Sequence, residues 1–278
     1  MDNLILSAEK LFEIAQSAYQ RSRYQKPNFA DGGQNDAIIA ITFSVMTVEA
    51  FLNELIELAK DRDDLEAQSL FSVIEPLLQA RESIEIRLLQ ASCSTSDTPF
   101  DNGRLPFQSF NLLVRVRNRL VHLLAGDKIT DGLIEEHQTI LSSLKSHRVI
   151  IADHKIPINR DDEGLMEKYG AILSDQEINS ISLPFIYAVA TQSVAKWSCQ
   201  VASTVITTFI NNMRDSPFKS LLQQYSQSFQ IIPDNLQELL EWHKIITSFG
   251  CSNADEFISK IRNKQLIVSL PKTIKNAE

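Results

Sequence analysis

The chain has 278 residues, 44% hydrophobic and 22% charged, with a formal net charge of −8. That length allows one large core, or one core with a small appendage. The acidity excludes a surface that coats DNA, because phosphate binding needs a positive face, but it leaves room for a local basic cleft.

The predicted elements are helical almost throughout. With only eight glycines and nine prolines, long helices are favoured over a turn-rich β fold. Residues 3–24 carry Leu4, Ala8, Leu11, Phe12, Ala15, Ala18 and Tyr19, the i, i+3/i+4, i+7 stripe of a helix packed on a core. A loop with Pro27 and Gly32-Gly33 follows. Residues 36–60 form the most apolar long helix, with Asp36 at its N-cap. A third helical region spans residues 64–93 and is expected to break or kink near Pro76.

After a polar loop at 94–103, Pro106 suits the first position of a helix and Gly126 the position just past its end, so a helix is predicted over 106–125. Another covers 132–147. Residues 147–158 read as extended, and 148–182 as a polar insertion holding a short helix. Residues 184–213 have few charges, so a membrane span has to be weighed. Lys196 among Thr191, Gln192, Ser193, Ser198 and Gln200 argues against it. Val194, Trp197, Val201, Val205 and Phe209 instead describe a long core helix. The chain changes style after Ser216. Asp234 with Gln237, and Asn253 with Glu256, resemble capping boxes, which divides the molecule into a helical domain, 1–215, and a small helical tail, 216–278, with an unstructured end.

Three cysteines, Cys93, Cys199 and Cys251, are odd in number and form no CxxC pair, which points to buried thiols in a reducing compartment. The opening Met-Asp-Asn-Leu lacks a basic n-region, so the cytoplasm is the expected address. His137, His147, His154 and His243 show no metal-ligand spacing, and Glu135-Glu136-His137 reads as a solvated helix face. No metal or cofactor is implied. There is no phosphate-binding glycine loop and no hydrolase elbow.

The informative stretch is Arg117-Asn118-Arg119-Leu120-Val121-His122. It lies within residues 102–126, which hold four arginines (Arg104, Arg115, Arg117, Arg119) and no acid, so nucleic acid should meet the protein here. Unrolled at about 100° per residue, the helix puts Leu112, Leu113, Val116, Leu120, Leu123 and Leu124 on one side. Phe110, Val114, Val121 and Ala125 form a second apolar strip. Arg117 borders that strip on one flank, Asn118 and His122 on the other. A helix with two apolar sides packs twice, either within a large bundle or against a second copy across a two-fold axis. The residue types suit phosphodiester cleavage. A histidine can move the proton at the ribose 2′-OH or the leaving oxygen, an arginine fork can hold the phosphate, and Asn118 can orient either. The bare Arg–x4–His spacing is also one that chance produces, with the histidine a surface or satisfied structural residue.

These six residues resemble the R-N-x-x-x-H form of the R-x4-6-H motif of the HEPN superfamily (higher eukaryotes and prokaryotes nucleotide-binding). The upstream segment Ala40-Ile-Thr-Phe-Ser-Val-Met-Thr-Val-Glu-Ala-Phe-Leu-Asn-Glu-Leu is similar to a helix common in its larger members. The resemblance covers about residues 36–126 and extends to the helix near Trp197. It implies an all-α bundle that dimerises through the motif helices. It also implies a metal-independent endoribonuclease, of toxin–antitoxin or antiviral defence type, that leaves 2′,3′-cyclic phosphates. Arg117 and His122 would be the catalytic pair, with Asn118 beside them, and Arg115, Arg119 and Arg104 would contact RNA. Glu49 and Asn53 would brace the Arg or the His, or Glu49 would form a structural ion pair with Arg117. The partners implied are RNA, a second copy and an antitoxin or regulatory protein. The alternative is a HEPN-like dimer without catalysis that binds protein or nucleotide.

Overall fold

The computed structural model describes residues 7–23, 35–121, 135–150, 155–157, 180–182 and 185–231. Among these residues the fold is all-α apart from one short two-stranded ladder. The chain divides into two units, residues 1–230 and residues 231–278. All but one of the second unit's residues lie outside the described set, as do both expected capping boxes.

The centre of the first unit is α2, Asn35–Lys60. Its apolar residues are spread widely around the helix, so it can pack on several sides. Helix α1, Ser7–Ser22, lies along it and buries Ala8, Phe12, Ala15, Ala18 and Tyr19, the stripe read from the sequence. Asp36 falls in the first turn of α2, where Arg21 Nε donates to its Oδ1 at 2.9 Å. Among the described residues, α2 is the helix long and apolar enough to cross a membrane, rather than the 184–213 stretch. Half of its most apolar window is buried inside the bundle.

Helix α3, Leu65–Gln79, opens on Asp64, whose side chain accepts from Ala67 N. Helix α4, Ile84–Thr95, opens on Ser83, whose hydroxyl accepts from Ile86 N. The expected break therefore falls after Gln79 and not at Pro76, which stays inside α3 on its exposed side. There, the carbonyl that proline leaves without its helical donor can be met by water. The reversal turns on Arg81, whose φ of 56° is left-handed.

Helix α5 is described over Phe107–Val121. The carbonyl of Pro106 accepts from Phe110 N at 3.1 Å, so Pro106 stands just before the helix rather than as its first residue. Helix α6, Glu135–Ser146, follows. Strands β1, Lys155–Pro157, and β2, Ser180–Ser182, pair antiparallel with Ile156 opposite Ile181. The short helix expected in the insertion lies outside the described residues. Helix α7, Phe185–Val189, leads to α8, Gln192–Asn212, capped by Thr191. Val194, Val201, Val205 and Phe209 of α8 are buried, whereas Trp197 is only partly so. Where α8 meets α2, Ser44 Oγ lies 3.3 Å from Ser198 Oγ and 3.7 Å from Cys199 Sγ. Burial pushes the Cys199 thiol up to about 11, while Cys93 is exposed, contrary to the expectation that the thiols are buried.

Helix α9, Pro217–Ser226, begins on a Ser216 cap with proline in its first turn. It belongs to the first unit. Phe218, Leu222 and Phe229 are all but fully buried, so the bundle runs past the expected boundary at Ser216 to Gln230. A line of rings crosses the core. Phe107, Phe100, Phe209, Phe51, Phe229 and Phe12 follow one another at centroid separations of 5.8–6.4 Å, mostly tilted or edge-on, the arrangement aromatic quadrupoles favour. It joins the start of α5 to α2, α8 and α1, and so fixes the helix that carries the motif.

Candidate functional site on helix α5

Helix α5 has no acidic residue in its first turn and none along its described length. Leu112, Leu113, Val116 and Leu120 are buried on the expected core side. The second strip divides. Phe110 and Val114 are buried within the same bundle, but Val121 is 53% exposed. The bundle thus takes the first half of the strip and leaves Val121 open to solvent. Ala125 and Gly126 lie outside the described residues, and so does His122.

Arg117 is partly buried. Its Nε is buried with no hydrogen-bond partner, and no carboxylate pairs with it among the described residues. A guanidinium taken partly out of water without a counter-charge is unfavourable, and an anion on its fork offsets that cost. Asn118, the next residue, is exposed, and Arg115 is exposed. Arg104 is exposed too, at the loop that precedes α5, with its Nε 3.2 Å from Asp101 Oδ2. Asp101 lies just outside the acid-free window, so Arg104 meets any phosphate already paired.

Arg119 departs from its expected RNA-contacting role. It is 8% exposed, and its Nε donates to Nε2 of His137 on α6. The accepting nitrogen must be unprotonated, so the ring proton of a neutral His137 sits on Nδ1. His137 is 3% exposed and stacks on Phe185 of α7, with centroids 4.4 Å apart and planes at 17°. It therefore does not belong to a solvated face, although Glu135 and Glu136 do. This buried group ties the motif helix to α6 and α7.

Glu49 and Asn53 have a different partner from those expected. Arg87 of α4, 5% exposed, donates from Nη2 to Glu49 Oε1 and from Nη1 to Asn53 Oδ1, both at 3.1 Å. The two α2 side chains brace a buried arginine, but it is Arg87 and not Arg117. Sequence reasoning missed both Arg87 and the Arg119–His137 pair, and the signal for each was present. Arg87 shares a stripe with Ile84, Leu88 and Ala91, His137 with Ile140, Leu141 and Leu144, and Arg119 with Leu112 and Val116. A polar residue on an apolar stripe is a buried group that needs a partner.

Among the described residues no three His, Cys, Asp or Glu side chains gather as a metal-ligand set. No protein family, curated protein or solved structure matches this chain.

Proposed function

We propose that the protein is a metal-independent endoribonuclease of HEPN type, cytoplasmic, homodimeric through α5, and acting in stress or antiviral defence. The observation that carries this reading is the state of Arg117, a partly buried guanidinium with an unpartnered Nε and no carboxylate partner among the described residues. It is suited to a scissile phosphate, whose non-bridging oxygens accept from a guanidinium fork and gain negative charge as the transition state forms. The helix supplies no competing acid. In this reading His122, one turn beyond Asn118 in the motif, moves the proton between the ribose 2′-OH and the leaving 5′-oxygen, and the cut end closes to a 2′,3′-cyclic phosphate. Two copies meeting along the apolar strip at the exposed Val121 would face their Arg–His sets across one cleft.

The test is cleavage of varied RNAs in EDTA. Wild type should cut and leave cyclic phosphate ends, with His122→Ala and Arg117→Ala each slower by about 100-fold or more. Cutting that survives in both variants, or no cutting by wild type, ends the catalytic reading. Sizing of the wild type should give a dimer, and a strict monomer removes the composite cleft. The second reading, a helical dimer that binds without cutting, is favoured by the withdrawal of Arg119 into the core, which leaves fewer cations to face a substrate.

A further inference from the structure

Asn102-Gly103 is the one Asn-Gly pair in the chain. Both residues are exposed, in the turn between α4 and α5. The turn hangs between two buried rings, Phe100 and Phe107, stacked at 5.9 Å between centroids. Phe100 N also donates to Ser92 Oγ at 2.8 Å, so the segment is anchored at both ends. In an Asn-Gly pair no Cβ shields the glycine nitrogen, and the main chain can bring that nitrogen onto the asparagine amide carbon.

Two hydrogen bonds fall on the atoms such a ring closure uses. Gly103 N donates to Asp101 Oδ1 at 2.8 Å, so a carboxylate already holds the proton that the nitrogen gives up as it attacks. Arg104 Nε holds the other oxygen of that carboxylate, Oδ2, at 3.2 Å. Asn111 Nδ2 donates to Asn102 Oδ1 at 3.0 Å, the oxygen on which negative charge collects as the amide carbon becomes tetrahedral. Asn111 Oδ1 is buried, which leaves Nδ2 as the end of the amide that meets the turn.

We propose that Asn102-Gly103 is a self-modifying site, at which α5 and the turn before it convert Asn102 to aspartate or isoaspartate. Asp101 takes the proton from Gly103 N, the nitrogen bonds to Asn102 Cγ, and Asn111 Nδ2 stabilises the oxyanion. The adduct then collapses. The Cγ–Nδ2 bond breaks, and ammonia leaves with the proton that Asp101 returns. Water opens the resulting succinimide at either carbonyl, giving aspartate or a main chain routed through the side-chain carbon. Water is the one co-reactant. The product is a permanent carboxylate inside the 102–126 window, which otherwise holds four arginines and no acid. The positive charge at the head of α5 falls by one unit. The inference stands apart from the ribonuclease reading, which adds only that anion binding at α5 declines as the chain ages.

The test follows full-length protein, incubated near neutral pH, by peptide mass spectrometry and ion-exchange chromatography. The peptide holding residues 102 and 103 should lose the mass of ammonia and then gain that of water, ahead of every other asparagine. The intact chain should elute as a more acidic species. Asp101→Asn keeps an acceptor for Gly103 N but no base, and Asn111→Ala removes the oxyanion donor. Each should slow the change about tenfold, short of the roughly hundredfold of an enclosed site because this turn is open to water. In Gly103→Ala it should all but stop. A Cβ there would come to 3.5 Å of Asp101 Oδ1, an ordinary contact, so that variant keeps its fold. The pH profile separates a base from a turn-former. Carboxylates are already ionised across about pH 6 to 8, so wild type should respond weakly to pH there, whereas Asp101→Asn should follow hydroxide.

The proposal is overturned if Asn102 survives while other asparagines react, or if the two pH profiles run parallel. It is equally overturned if Asp101→Asn or Asn111→Ala reacts as fast as wild type or faster, since the bonds to Gly103 N and Asn102 Oδ1 then guard the turn. RNA cleavage bears on none of these outcomes. Loss of the nuclease reading leaves the site standing, and loss of the site leaves the nuclease reading untouched.

Discussion

At the residue scale, Arg87 shows how unequal the two ends of one ion pair can be. The Arg87 side chain is 6% exposed and that of Glu49 is 42% exposed, so water can solvate the carboxylate alone but not the guanidinium. Arg87 Nε is already without a partner. Removing Glu49 or Asn53 strands further donors in the core, whereas removing the arginine leaves two groups that reach solvent. Glu49→Ala and Asn53→Ala should each cost about 1–3 kcal/mol, while Arg87→Met, which fills the same space without charge, should stay within about 1 kcal/mol of wild type. Urea unfolding gives the comparison. If Arg87→Met proves the most damaging of the three, Arg87 is supplying stability rather than consuming it.

At the element scale, α1 is held on α2 by a cap contributed from the other helix. Glu54 Oε1 accepts from Ala8 N at 2.9 Å, in the first turn of α1. That turn exposes backbone N–H groups and favours a negative charge. Burial nevertheless outweighs the bonds from Ala8 and Ser7, and the Glu54 carboxyl is raised above its ordinary 4.5. A raised carboxyl binds its proton more tightly in the folded chain. Its contribution to stability is therefore complete below pH 4.5 and is lost as the pH rises through the higher folded value. The stability of wild type relative to Glu54→Gln should accordingly fall between pH 4 and pH 7 in paired urea titrations, and a rise over that interval would show the cap bonds winning over desolvation. Helix α5 is governed by the same rule of paired burial. Its core side and its Arg119–His137 tie fix its rotation, and that rotation turns Arg115 and Asn118 outward.

At the scale of the whole molecule, the extent of the bundle decides what can be cut away. Phe229 lies 5.8 Å from Phe12 and 5.9 Å from Phe51 between ring centroids, and the Arg62 guanidinium sits over Phe218 at 5.8 Å. Helix α9 and the turn after it therefore complete the core. A chain ending at Asp215 should lose about 5 kcal/mol or more through Phe218, Leu222 and Phe229, whereas one ending at Gln230 should unfold at a temperature close to that of the full chain. Equal melting of the two shortened chains would return the boundary to Ser216. Arg214 adds a polar clamp at the same corner, donating to Asp97 at 2.8 Å and to Glu66 at 3.2 Å.

Periodicity alone was enough for the helical class, for the apolar stripes of α1, α2 and α5, and for α8 as a core helix, because a helix repeats every 3.6 residues whatever it packs against. The positions of Arg117 and Asn118 on α5 were legible for the same reason, since their order along one helix sets their angular positions. Which partner each polar residue takes was not legible. Glu49 could be seen to need a cation, but local spacing does not distinguish Arg117 from Arg87, 38 residues away in the chain. Arg119 reads as a fourth surface arginine until α6 brings His137 against it. The domain boundary shifted for a related cause. Ser216 and Pro217 signal a helix start correctly, but a helix start is a local event, and only the burial of Phe218 and Phe229 decides which core that helix joins. Local hydrogen bonding and side-chain rotation are encoded within a few residues. Partnership between helices is a property of distances that the folded chain alone creates.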